Sequence, residues 1–589
     1  MAARPSPTGL ESDWAVFVLA GGVGLDAVLW GAGRLSAWVA GEPSPHGHPL
    51  AGFAAFAHLG DPGIAWGSRV GPAALYWTVL GVVVVIPLVI GIAIWCLIRR
   101  RHLDADEDPT RIEGLATSRQ VDRAAGERAL LARSQTLRPS LSDAKPSEVG
   151  YWLGSSRGRA CWASVEDSIF VLGPPRSGKG LHAVIPAILD SPGAVITTAT
   201  RADNLAVTMT ARANGRPVAV FDPQGLASGV PAALRWSPVR GCENPETAMV
   251  RAAALCADSG RDVESAGFWK QKTQSALRCL LHAAALGDRS PADLYRWSLT
   301  PAAAQEAVEA LVSSPGAAIA WDRALDSIIS ADQRMRDSVW AMVANSFAAL
   351  SDPRVLESVS PGPNERFDPY EFLRRRGTLY LLGTASGAAS TASLVAALVE
   401  DVVEVARKMA AASPGGRLDP PLGLILDEAA NYPLPSLPAL MSEGGGTGIT
   451  TMAVLQSLDQ ARHRWGRDAA GSIWDSAIVK MILPGVSNPD DLGGIARLVG
   501  DRKEREISET SGSSGSKTIS SSMRDRAILS PATIRSIQPG HGLLLLRSAK
   551  PIMLTLRPWT ARPDAQSLRT NRQSIEATIQ NTATGALRG

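Results

Sequence analysis

A strand, a glycine-rich turn carrying a lysine, and the start of a helix follow one another between Ile169 and Ile185. This succession narrows the possible folds more than any other stretch of the chain. Ile169-Phe170-Val171-Leu172 is an unbroken apolar run of strand length, and Leu181-His182-Ala183-Val184-Ile185 can open a helix. Between them lie Gly173, Pro174, Pro175, Arg176, Ser177, Gly178, Lys179 and Gly180. Backbone N–H groups of such a turn converge on one small space, the helix N-terminus adds partial positive charge, and Lys179 adds a full one. The arrangement suits the phosphates of a nucleotide such as ATP and predicts an open α/β sheet. It fits the P-loop pattern G-x-x-x-x-G-K-[ST] except at the last position. Gly180 has no hydroxyl for Mg²⁺, so the metal has to rely on other ligands or on water.

A phosphate cradle needs an acidic counterpart, and Leu422-Gly423-Leu424-Ile425-Leu426-Asp427-Glu428 provides one. A buried parallel strand that ends in two carboxylates delivers both to the edge of the sheet where ligands collect. Asp427 is the candidate Mg²⁺ residue, and Glu428 is the candidate that orients or deprotonates the attacking water. A third apolar strand, Ile449 to Leu455, ends at Gln456. That side chain either senses the terminal phosphate and positions water, or is a solvated strand end.

Ala73 to Ile98 contains no charged residue and exceeds the about 20 residues needed to cross a bilayer core. Arg99-Arg100-Arg101 follow at once and place the remainder of the chain on the cytoplasmic side. Trp14 to Leu35 is a second apolar segment, but Asp26 costs about 2.5–3.5 kcal/mol at a helix centre. It therefore either spans with Asp26 turned to a partner helix, or lies at the interface. No cleavable signal is evident. The expected topology is two spans in the inner (plasma) membrane, 14–35 and 73–98, after a short cytoplasmic tail, 1–13. An external loop, 36–72, joins them.

The rest of the chain divides by pattern. Residues 99–149 are charged and read as a juxtamembrane connector. Residues 150–244 hold the P-loop and the apolar strands Val195–Thr198 and Val218–Phe221. From 245 to 360 alanine-rich segments take up helical spacing, which predicts an all-helical insertion. Strands resume from 361 to 559, interrupted by a Ser/Gly-rich stretch, 508–522, read as a mobile loop. Leu543–Leu546 and Pro551–Leu556 suggest a closing hairpin. Residues 560–589 read as a polar tail. From Arg524 onward ten Lys/Arg stand against three Asp/Glu, which fits a DNA-facing surface, a partner-facing surface or a solvated tail.

The overall net charge of +3 among 589 residues does not by itself mark a nucleic-acid binder. Five scattered cysteines without a C-x-x-C read as reduced and structural. His46 and His48 have no cysteine or acidic cluster beside them and are not read as a metal site.

Two spans, G-P-x-R-S-G-K-G, a helical insertion, L-I-L-D-E and V-L-Q-S come in the order of a TraG-like conjugative coupling protein, actinobacterial form, which the chain resembles from about Gly150 to Trp559. The resemblance implies a RecA-like P-loop NTPase domain with an inserted all-α domain behind an N-terminal transmembrane hairpin. It implies ATP and Mg²⁺ as ligands and a homo-oligomeric ring, a hexamer. Its partners would be single- or double-stranded DNA without strong sequence preference, relaxase or relaxosome proteins, and the subunits of a type IV secretion channel. Gly180 is an accepted variant in that family. Two departures stand out. Ala199 to Asn204 lacks a D-x-K-G-E-like sequence, and Thr447 stands where a basic residue would reach a neighbouring subunit's nucleotide. Arg462, Arg464 and Arg467 are the nearby replacements. An FtsK-like or type VII-like translocase, and a weakly hydrolysing ATP-binding platform, are the competing readings.

Overall fold

Strands that are apolar on both faces need cover on both faces, and the chain supplies it with helices. The computed structural model describes residues 28–48, 50–257, 266–384, 390–511 and 517–588. It divides into a unit that ends at Asp108 and a unit that begins at Pro109.

The second unit is built on an eleven-stranded sheet in the order β2-β1-β13-β12-β9-β3-β8-β7-β4-β6-β5. In chain order the strands are β1 Gly150–Ser156, β2 Arg159–Ser164, β3 Ile169–Leu172, β4 Val195–Ala199, β5 Val218–Phe221, β6 Thr378–Leu382, β7 Leu422–Leu426, β8 Ile449–Leu455 and β9 Val479–Ile482. They continue with β10 Asp501–Ser511, β11 Lys517–Ala527, β12 His541–Leu546 and β13 Ile552–Thr555. From β9 to β5 every neighbouring pair is parallel. β12, β13, β1 and β2 extend that sheet in antiparallel fashion, with Leu543 opposite Ile482 and Leu543 opposite Met553. Every residue of β3, β4, β6, β7 and β8 is buried, as covered parallel strands require. Each buried Val, Leu or Ile there is worth about 1.5–3 kcal/mol over exposure.

Helices occupy the chain between β5 and β6, from Pro245–Leu255 and Ala266–Leu286 through Gln333–Ser346 to Pro369–Arg374. Their starts carry the expected caps. Asn244, Ser290 and Asp332 each accept a backbone N–H of the first turn. His282 is fully buried, with Nδ1 donating to the Cys242 carbonyl at 2.7 Å and Nε2 accepting from Ala318 N–H at 3.0 Å. A buried ionic knot ties the first of these helices to the long helix Ala392–Ala411. Asp401 pairs with Arg251 at 2.8 Å and Arg240 at 3.0 Å, and accepts from Trp236 Nε1 at 3.0 Å.

Three expectations are corrected. Residues 508–522 are not a loop. Apart from 512–516, which lie outside the described residues, they belong to the antiparallel pair β10–β11 in register Ser508↔Ser520. Oppositely charged side chains across the ladder, Arg526–Glu504 at 3.0 Å and Arg524–Glu506 at 3.5 Å, support strand pairing where serine content alone suggests a coil. The second correction concerns the connector. From Pro109 the chain belongs to the second unit, where Val121, Ala125, Leu130, Leu137 and Val149 are buried in one core with Tyr151 and Leu153. Arg138 and the Ser140 N–H both hold the Asp419 carboxylate, at 2.8 and 2.9 Å. Finally, the polar tail is a helix, Ala565–Arg588. Leu568 packs with Ile185, Val207 and Trp559, and Ile575 and Ile579 pack against Leu205 and Met209. Polar outer residues hide a narrow apolar stripe from a composition-based reading.

In the first unit the helix Ala73–Glu107 contains a 21-residue apolar window, Ala73–Ala93, of mean hydropathy 2.5. At 1.5 Å per residue it is about 31 Å long, enough for a hydrocarbon core. Val85, Ile86, Leu88, Val89, Ile90 and Ile92 are more than half exposed on it, a surface suited to lipid. The chain before it is folded too. Leu29 and Ala32 of the helix 28–39 pack with Ala51, Ala55, Trp66, Val70, Tyr76 and Leu80. Residues 1–27, which carry most of the expected first span and Asp26, lie outside the described residues.

Candidate nucleotide site at the carboxyl edge of the sheet

Register decides which strand ends meet. Leu172 of β3 pairs with Leu455 of β8, and Leu426 of β7 pairs with Ala453 of β8. Gly173, Asp427 and Gln456 therefore leave the sheet along one edge, with the end of β4 beside them.

The phosphate-type turn has the backbone that the sequence implies. Gly178 sits at φ +84°, and a Cβ there would lie 2.8 Å from His182 Cδ2, so glycine is required on both counts. Arg176 also takes a positive φ, +65°. The helix that follows starts with a π-turn, Gly180–Val184, before the α-helix Ile185–Asp190. Ser177 Oγ is buried without a hydrogen-bond partner among the described residues.

Lys179 Nζ lies 3.7 Å from Glu428 Oε1. Glu428 adopts a left-handed backbone, φ +51°, which turns its side chain back over the strand ends. Thr200 Oγ1 and Asn431 Nδ2 donate to Glu428 Oε2 at 2.8 and 3.0 Å, and Gln456 Nε2 donates to Oε1 at 3.4 Å. Asp427 Oδ2 accepts from Asn204 Nδ2 at 3.1 Å, while Asp427 Oδ1 is buried with no partner among the described residues. Burial pushes the Asp427 carboxyl above the usual carboxylate range, and Lys179 pulls against that. Tyr432 OH donates to the carbonyls of Ala199 and Gly383 at 2.9 and 2.5 Å and fixes the adjoining strand ends.

An unpartnered carboxylate oxygen beside a lysine and a nest of N–H groups fits a divalent cation bound with a polyphosphate. Asp427 would be the residue to hold it. Lys179, Asp427, Glu428 and Gln456 are thus brought into one place. Thr200 and Asn204, which looked in the sequence only like a missing family motif, join them there. Their signal was a pair of polar residues at the end of a buried strand and the first turn of the next helix.

The candidates for a basic residue in trans fare differently. Thr447 Oγ1 donates to the Gly444 carbonyl at 2.9 Å inside a tight turn. At Gly445 that turn leaves no room for a side chain, since a Cβ there would meet the Glu166 carbonyl at 1.9 Å. Arg462 is engaged by Asp459 and, at 3.3 Å, by Asp491. Burial lowers the Arg464 pKa, and Arg467 opens the helix Arg467–Ser476. Arg462 is thus partnered by Asp459 and Asp491, apart from the Asp427–Glu428 pair.

This sheet, turn and acidic strand end define a RecA-like P-loop NTPase fold carrying a helical domain. A family model described as the TraM recognition site of TraD and TraG matches residues 421–539, which include β7, Asp427, Glu428 and Gln456. Among solved structures the fold is similar to the bacterial conjugative coupling protein TrwBdeltaN70 in an unbound monoclinic form. That pair is 14% identical, covers 74% of this chain and 92% of the other, and has a TM-score of 0.52. TrwB with the non-hydrolysable ATP analogue ADPNP, and TrwBdeltaN70 in a trigonal form with sulphate, each give 15% identity, 74% and 93% coverage and a TM-score of 0.51. No curated protein matches the sequence. The match over residues 421–539 and the similarity of fold to TrwB agree with the order of motifs read from the sequence.

Proposed function

We propose that the chain is a membrane-anchored ATPase that drives DNA, carried as a relaxase-bound strand, toward a type IV secretion channel. The observation that carries this reading is the meeting of Lys179, Asp427, Glu428 and Gln456 at one sheet edge in a TraG-like chain. In the proposed reaction the Gly173–Gly180 N–H groups and Lys179 grip the β- and γ-phosphates. Asp427 would hold Mg²⁺, whose charge would offset that of the phosphate oxygens. Glu428, steadied by Thr200 and Asn431, takes a proton from the water that attacks the γ-phosphorus, and ADP leaves. Gln456, already within reach of Glu428, orients that water. ADPNP bound to TrwB, a protein of the same fold, supports an adenine nucleotide as the ligand.

Anchoring follows from the helix Ala73–Glu107, and the two-span inner-membrane topology belongs to the same proposal. So do the hexameric ring and contact with relaxosome proteins, toward which the TraM-recognition match of residues 421–539 points. A second reading, a docking platform that binds ATP and hydrolyses it slowly, is favoured by Thr447 and by the engagement of Arg462 within its own chain. ATPase assays on the detergent-solubilised chain, with and without single-stranded DNA, test the two. DNA-stimulated turnover supports the motor. Nucleotide binding with no stimulation supports the platform.

A further inference from the structure

Gly180 takes from the P-loop the hydroxyl that such turns offer to the metal, and the structure shows what stands in its place. A Cβ built on Gly180 would come within 3.7 Å of Asn204 Oδ1, the one side-chain atom within 4 Å of it among the described residues. A hydroxyl one bond further out would reach toward the position that Asn204 Oδ1 already holds.

Asn204 is 5% exposed, on the first turn of the helix Asp203–Arg212. Its Nδ2 donates to Asp427 Oδ2 at 3.1 Å, and this bond settles which end of the amide faces which neighbour. The carbonyl end is left toward Gly180 and takes no hydrogen bond from any described residue. Asp427 Oδ1, on the carboxylate that Asn204 Nδ2 holds, is buried with no partner among the described residues. A buried acceptor without a donor is costly unless a cation or its water satisfies it, and Asp427 Oδ1 is such an atom, held on a carboxylate that Asn204 itself contacts. Magnesium takes hard oxygen ligands, typically one or two from the protein with phosphates and waters completing the shell. A neutral amide suits this position better than a third carboxylate, because Asp427 and Glu428 already supply two negative charges and the amide N–H also holds Asp427 in place.

We propose that Asn204 Oδ1 replaces the missing P-loop hydroxyl in the Mg²⁺ shell, so that metal selection by this chain rests on the pair Asn204 and Asp427. The proposal deepens the ATP·Mg²⁺ reading above and rests on it.

The test uses the full chain in detergent, ADPNP as nucleotide and Mg²⁺ as the titrated metal, with Mn²⁺ followed by electron paramagnetic resonance as a direct reporter. Asn204→Ala is expected to raise the Mg²⁺ concentration for half-saturation about tenfold or more, and to change the Mn²⁺ spectrum, while metal-free ADPNP affinity stays within about twofold. Adding Gly180→Ser to Asn204→Ala returns the hydroxyl; the backbone φ and the open space at position 180 accept it, and metal affinity is expected to recover. Melting temperatures of both variants show that each is folded. An Asn204→Ala chain with wild-type Mg²⁺ half-saturation overturns the proposal. So does a loss that appears equally without metal and is not rescued by Gly180→Ser, which marks Asn204 as a prop for Asp427 alone. A wild-type chain that binds no ADPNP defeats the underlying nucleotide assignment as well, and is told apart by that single measurement.

Discussion

Lys179 Nζ and Glu428 Oε1 stand 3.7 Å apart although their residues follow β3 and β7, strands separated in the sheet by β8. Neither is near the other in sequence, and only the parallel order of the sheet makes them neighbours. Lys179→Ala removes the lysine charge from the phosphate cradle. A hydrogen bond to a charged group is worth about 1.5–3 kcal/mol, so ATP affinity should fall about 10- to 150-fold and turnover should be lost. Equilibrium binding of a fluorescent ATP analogue checks this. Unchanged affinity and turnover would remove the cradle from the nucleotide site.

Glu428→Gln keeps size and hydrogen bonding but loses the basic oxygen. Thr200 and Asn431 can still hold the side chain. Binding should persist, and hydrolysis should drop about 10²–10⁴-fold, the usual worth of a positioned base. Weakened binding with normal turnover per bound ATP would transfer the catalytic role elsewhere.

Local signals carried the core of this fold, and cooperative ones escaped. The four residues of β3, the turn after them and the Asp-Glu after β7 are each readable within ten residues, because buried parallel strands are apolar on both faces. What the sequence could not display is pairing. The β10–β11 ladder is held by charge pairs between residues about twenty positions apart, so its serines looked like a loop. The helix Ala565–Arg588 buries a narrow stripe of Leu568, Ile575 and Ile579, too thin to stand out among polar neighbours. Asn204 was passed over because the segment was compared with a motif it lacks, whereas its importance comes from facing Gly180 across space.

Asp401, on the helix Ala392–Ala411, holds Arg251 of the first inserted helix and Arg240 ahead of it, and Arg251 is only 1% exposed. Asp401→Ala leaves Arg251 buried without a counter-charge, and the cost should be about 3–5 kcal/mol. Arg240→Ala, at a half-exposed partner, should cost clearly less. Urea unfolding followed by tryptophan fluorescence reads this directly, since Trp236 donates to the same carboxylate. Equal effects from the two variants would show that the knot does not depend on burial.

Asp419 gives the clamp on the 109–149 segment a pH dependence. Burial opposes its ionisation, but the hydrogen bonds from Ser140 and Arg138 outweigh it and hold the carboxyl below the usual carboxylate range. A depressed folded-state pKa contributes stability above the unfolded value, and that contribution disappears as pH falls through the folded value. The melting-temperature gap between the wild type and Asp419→Asn should therefore be widest near neutral pH and close progressively below about pH 4. A gap that does not change down to about pH 3 would mean the carboxylate charge plays no part in the clamp.

Topology provides the last test. The window Ala73–Ala93 is long enough to cross, exposes aliphatic side chains, and is followed within the same helix by Arg99, Arg100 and Arg101. Each arginine carried to the bilayer centre would cost about 2.5–3.5 kcal/mol, so this end should stay in the cytoplasm. A reporter fused after Arg101 should behave as cytoplasmic, and one inserted near Gly60 as external. The same side for both would mean that the window does not cross. A third reporter, ahead of Trp14, decides the remaining segment. A cytoplasmic signal there, with Gly60 external, requires residues 14–35 to span and completes the hairpin. An external signal leaves one crossing, with the helix 28–39 and the Trp66 core resting outside the membrane.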